Sequence, residues 1–121
     1  MKRIRTENRN HLLLFFAIIF FLCLFGCNGI NHTEPIIHFF TADTFTITEG
    51  DSITLNWEVT EATAVTIEPN IGLIDLSGSL LVSPVITTTY ILTATNSCGQ
   101  IFSPVSITDT VTIQVNPAIT E

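Results

Sequence analysis

The stretch Ser52–Val59, SITLNWEV, alternates strictly between apolar and polar residues. Successive side chains of a β-strand point to opposite faces, so Ile53, Leu55, Trp57 and Val59 share one face, and Ser52, Thr54, Asn56 and Glu58 the other. A chain written this way has to bury one side of a sheet. The pattern recurs in TTYILTATN, where Tyr90, Leu92 and Ala94 share a face, and in DTVTIQV, with Val111, Ile113 and Val115. ATAVTIE offers Val65 and Ile67, and GSLLVSP offers Leu80 and Val82. PIIHFFTA is mixed, as an edge strand would be. Turn signals separate these runs at Glu49-Gly50-Asp51, Pro69-Asn70-Ile71-Gly72, Ser77-Gly78 and Cys98-Gly99. No helical periodicity follows residue 30, and no unit recurs within the chain. Short strands with turns at this spacing predict an all-β sandwich or barrel of about seven strands. Asp109 falls on the inward phase of its strand, which predicts a bulge or loop before Thr110.

The N-terminal part has a different texture. Lys2, Arg3, Arg5 and Arg9 precede an unbroken apolar run, Leu12–Phe25. A basic head before an apolar stretch of about 7–15 residues is the build of a secretory signal peptide, expected as a helix. A membrane-spanning helix needs about 20 such residues. An uncleaved N-terminal anchor is the alternative.

The run ends in Leu24-Phe25-Gly26-Cys27, which resembles the lipobox of bacterial lipoproteins: Leu three places before a cysteine and a small residue just before it. The resemblance implies that residues 1–26 are removed and that Cys27 carries a diacylglyceryl group, with its new amino group acylated. Cys23 follows Leu22 and lacks the motif, so it reads as one more apolar residue of the signal. Residues 28–34, NGINHTE, are small and polar and read as a tether, so 27–34 links lipid to domain. The domain is expected over 35–116, followed by a tail, 117–121. Asn28, standing where an Asp favours inner-membrane retention in enteric lipoproteins, implies the outer membrane or cell surface within the envelope.

Charge narrows the function classes. All four Lys and Arg residues of the chain precede residue 10, whereas of its eleven acidic residues only Glu7 does. A chain beginning at Cys27 has no cationic side chain except histidine. Nucleic-acid binding depends on Lys and Arg neutralising phosphates, so that class is excluded, as is a polybasic contact with anionic lipid. Two cysteines remain, Cys27 and Cys98, and lipid on the first precludes an internal disulfide. Cys98 is either a thiol without a task or the donor of an intermolecular disulfide.

Chemistry-bearing patterns are sparse. His32 and His38 have no Cys, Asp or Glu at metal-ligand spacing. No Gly-x-Ser-x-Gly elbow and no phosphate-cradling loop occurs. Glu49 and Asp51 flank a glycine turn, but Ca²⁺ takes about 6–8 oxygens, so a solvated turn fits better. The expectation is a protein that is not an enzyme and needs no cofactor or metal.

Three motifs in order, EGDSITLNW, GSLLVSP and TTTYILTATN, resemble the bacterial immunoglobulin-like domain of exported and surface proteins. The matching positions are Gly50, Ser52, Leu55 and Trp57; then Gly78, Ser79, Val82 and Pro84; then Thr88, Thr89, Tyr90, Leu92, Ala94 and Asn96. The order is also similar to fibronectin type III domains. The resemblance covers about residues 35–116 and implies an immunoglobulin-like sandwich with Leu55, Trp57, Tyr90 and Leu92 as core signature. It further implies that the Tyr90 hydroxyl bonds a nearby backbone group. The expected role is a lipid-anchored, non-catalytic interaction module for a protein or glycan, using end loops or an open sheet edge. The alternative is a structural spacer or assembly subunit of the envelope.

Overall fold

The computed structural model describes residues 33–97 and 103–119. The expected signal peptide and its expected helix, Cys27, His32 and Cys98 lie outside the described residues. Those described form an all-β structure of eight strands with no helix: β1 (Ile36–Ala42), β2 (Thr46–Thr48), β3 (Ile53–Thr60), β4 (Ala64–Glu68), β5 (Gly72–Ile74), β6 (Ser77–Val82), β7 (Thr88–Asn96) and β8 (Val105–Asn116).

The strands make two sheets, ordered β1-β3-β6 and β2-β8-β7-β4-β5. β1 and β2 are one run of chain that changes sheets: β1 pairs antiparallel with β3, and β2 pairs parallel with the end of β8. The corner between them is tied on both sides. Asp43 exchanges bonds with Thr54, its N–H donating to the Thr54 carbonyl at 3.1 Å and its Oδ1 accepting from the Thr54 N–H at 3.0 Å. Gln114 N–H donates to the Phe45 carbonyl at 2.8 Å. β1 packs across β8, which sets β6 at the opposite side of the sandwich, towards β5.

The alternating faces meet in one core. Ile53, Leu55, Trp57 and Val59 from β3, Val65 and Ile67 from β4, Tyr90, Leu92 and Ala94 from β7, and Val111 and Ile113 from β8 are all buried. Full burial of one aliphatic side chain stabilises by about 1.5–3 kcal/mol, so these strands carry the fold. The intervening residues form the outer faces, where Thr89 and Thr112, and Thr95 and Ser106, pair across β7 and β8 through hydroxyls 2.8 Å apart. β1 is a sheet end, and its register shifts between Ile37 and Phe39, which breaks its apolar alternation.

Four readings of the sequence are corrected. Eight strands replace about seven, because β2 and β5 are three residues long and too short to display a period. Ser77 and Gly78 belong to strand β6 and not to a turn: Gly78 stands directly across from Trp57. Leu80 is 37% exposed although it lies on the inward phase, and Val82 is half-buried, because β6 ends its sheet and faces a strand of only three residues. No bulge precedes Thr110. The β7–β8 ladder runs in unbroken register from Thr88↔Ile113 to Asn96↔Val105, with Asp109 opposite Leu92. Asp109 reaches solvent there because β2 flanks β8 only from Gln114 onward.

Candidate functional site

Trp57 organises one side of the sandwich. Its inward phase on β3 places the indole in the core, 5% exposed, and its Nε1–H donates to the Asp75 carbonyl at 2.8 Å. That bond ties the segment between β5 and β6 to the core. Across the ladder, a Cβ added to Gly78 would lie 3.1 Å from the Trp57 ring. The ring lies against the backbone of the edge strand, and a side chain at this position would require it to give by a few tenths of an ångström. Gly78→Ala is expected to destabilise by about 1–3 kcal/mol in urea unfolding, because the tethered indole has little room to shift.

Beside this ring lies a cleft of about 360 Å³ between β5 and β6, walled by Trp57, Ile74, Asp75, Gly78 and Leu80. A wider groove of about 630 Å³ opens between the turn at 69–71 and the connection at 82–90. That connection is held in place. Val115 N–H donates to Thr87 Oγ1 at 3.0 Å, and Thr88 Oγ1–H donates to the Ile86 carbonyl at 2.7 Å. Its apolar residues nevertheless face water: Val85 is 67% and Ile86 72% exposed. Leu73 on β5 and Leu81 on β6 are similarly exposed, at 74% and 67%. Apolar side chains are thus spread along the side of the sandwich where both sheets end.

The backbone there is also open. Val59 N–H donates to the Leu76 carbonyl at 2.8 Å, and the β3–β6 register continues from that pair through Glu58↔Ser77 to Ile53↔Val82. Antiparallel ladders alternate hydrogen-bonded and non-hydrogen-bonded pairs. Gly78, Leu80 and Val82 therefore bond to β3, and the amides and carbonyls of Ser77, Ser79 and Leu81 point away from it. Among the described residues no other strand lies beside β6.

The expected signature residues Leu55, Trp57, Tyr90 and Leu92 lie together in the core, with Leu55 and Leu92 fully buried. Only Trp57 and Tyr90 also reach the open side, each lining one of the two clefts. Tyr90 makes no hydrogen bond to a backbone group among the described residues, in contrast to the bond that the resemblance implied. Burial pushes the Tyr90 phenol above its ordinary value of 10.0. Its protonated form is the one favoured by folding, so this contribution is complete below the unfolded value and is lost as pH rises through the folded one. Tyr90 is the only tyrosine in the chain. Alkaline titration followed at 295 nm should give a single phenol with a midpoint above 10.0 that returns to the ordinary value in urea, and Tyr90→Phe should flatten the loss of stability at high pH.

Other polar side chains serve the fold. His38 Nε2 and Thr60 Oγ1 are 2.8 Å apart across β1 and β3. Asp51 closes its turn, its N–H donating to the Thr48 carbonyl at 2.9 Å and its Oδ2 accepting from the Thr48 N–H at 3.1 Å, with Gly50 at a φ of +100° that favours glycine. Among the described residues no three His, Cys, Asp or Glu side chains come together as a metal-binding group.

The sequence led to an expectation of end loops or an open sheet edge, but did not assign them to β6 and the connection after it. One signal was available: no charged residue occurs between Asp75 and Asp109. An edge strand without charge, proline or bulge lacks the devices that usually discourage pairing. No family model matches the chain, and neither does any curated protein or solved structure.

Proposed function

We propose that this chain is a lipid-anchored protein of the bacterial cell envelope whose immunoglobulin-like sandwich serves as a non-catalytic interaction module. The carrying observation is the uncovered side between β5 and β6, where Leu73, Leu81, Val85 and Ile86 are exposed on an ordered scaffold. The immunoglobulin-like reading is supported by the strand order, with a first run divided between sheets and an aromatic residue buried on β3 and on β7. Anchoring rests on Cys27 and the preceding Leu24-Phe25-Gly26, and display at the outer membrane or surface on Asn28.

A module of this kind works by presentation. Lipid on Cys27 confines the domain to a surface, the tether spaces it, and the rigid sandwich holds the open side in a fixed shape. Rigidity lowers the ordering cost of association.

Photo-crosslinking in the native cells tests the role. A photoreactive residue placed at Leu81 or Val85 should give discrete adducts with one partner, while one placed at Ile91, on the outer face of β7, should not. Adducts only between copies of this chain would favour the structural alternative. No adduct from any position would overturn the interaction reading.

A further inference from the structure

We propose that the free edge of β6 accepts an extended, lysine- or arginine-bearing polypeptide segment as a further strand of the three-stranded sheet. This names the partner class for the interaction module proposed above and rests on that reading.

Three features of the molecule select this edge and this occupant. The first is the backbone. Ser77, Ser79 and Leu81 present unpaired amides and carbonyls in the spacing that an added strand requires. The other sheet ends are poorer acceptors. β1 is interrupted by its register shift, and β2 and β5 are three residues long.

The second is the inner face. A strand lying beside β6 would place alternate side chains over the cleft of about 360 Å³ between β5 and β6. Apolar side chains there would cover Leu80, which is 37% exposed, and fill the cleft beside the Trp57 ring. The other alternate side chains would lie on the outer face with Ser77, Ser79 and Leu81, next to the row that holds Glu58.

The third is charge. The described residues include nine carboxylates and no Lys or Arg, and Asp75 and Glu58 flank the start of β6. A second copy would bring the same charge and be repelled. A segment with cationic residues on its outer face is attracted, and one with carboxylates is rejected. The occupant is thus alternately apolar and basic.

The test uses the full chain in neutral detergent micelles and a fluorescein-labelled peptide of about ten residues alternating valine with lysine, a length that fills one strand. Fluorescence anisotropy should report saturable binding. Replacing lysine by glutamate should weaken it by about tenfold or more. N-methylation of alternate peptide amides should have a comparable effect, because it blocks the ladder. Ser79→Pro removes an amide that points away from β3, a position where an edge strand tolerates proline, and should abolish binding while the Trp57 fluorescence stays native. If that variant misfolds, the N-methylated peptide still decides the matter.

Absence of saturable binding would overturn the proposal. Binding indifferent to both Ser79→Pro and N-methylation would overturn it too, as contact with charge alone. Self-association that Ser79→Pro abolishes, without peptide binding, would replace the basic segment by a second copy. A cellular partner that crosslinks to Val85 and survives Ser79→Pro would leave the interaction module standing and refute only this edge.

Discussion

Trp57→Ala is expected to remove about 3–5 kcal/mol of stability, the range for deleting a buried large aromatic side chain. The domain as a whole is expected to hold only about 5–15 kcal/mol, so the variant should lose a large share of its stability. Three losses combine. The indole is 5% exposed and fills the space between the sheets beside Gly78, which has no side chain to collapse into the void. The Asp75 carbonyl loses its 2.8 Å donor, so of the two bonds that tie residues 75 and 76 to β3 only that from Val59 N–H to the Leu76 carbonyl remains. Urea unfolding followed by far-ultraviolet circular dichroism measures the effect. Trp57→Phe should restore part of the packing but not the bond, and should fall between the two. Stability unchanged by Trp57→Ala would place the indole outside the core.

Cys27→Ala is expected to abolish incorporation of a fatty-acid analogue, whereas Cys23→Ala should be labelled as the wild type is. Each buried CH₂ contributes about 0.8 kcal/mol to membrane binding, and a single acyl chain binds only marginally. Two or three chains on one cysteine hold a domain stably, and their loss is all-or-none. Labelling of intact cells followed by membrane fractionation compares the variants. Undiminished labelling of the Cys27 variant would remove the lipid anchor from the account.

The legibility of the fold depended on where a residue sits in its sheet. β3 and β7 are central strands whose inward residues are buried, so those residues had to be apolar and the period-two pattern was clear; β8 shows it only at Val111 and Ile113. β2 and β5 were not legible, since three residues cannot show a period. β6 was half legible. Its alternation of Gly78, Leu80 and Val82 is genuine, but an edge strand facing a short neighbour keeps its inward side chains partly wet. Gly78 read as a turn residue because glycine is usually a backbone device; here it makes room for Trp57, a tertiary reason invisible in local sequence. Asp109 misled in the opposite direction, its inward phase carrying no burial because β8 lacks a flanking strand there. The candidate site was the least legible part. It consists of what two sheets leave uncovered, and only the charge-free stretch between Asp75 and Asp109 hinted at it.

Amide hydrogen exchange of the free protein, resolved residue by residue along β6, tests the open edge most directly. Amides bonded within a core sheet open only with large parts of the structure, whereas unbonded amides exchange almost freely. The alternation of the β3–β6 ladder requires Gly78, Leu80 and Val82 to be protected and Ser77, Ser79 and Leu81 to exchange by orders of magnitude faster. Uniform protection across Ser77–Val82 would mean that another strand already covers the edge, and would contradict the account.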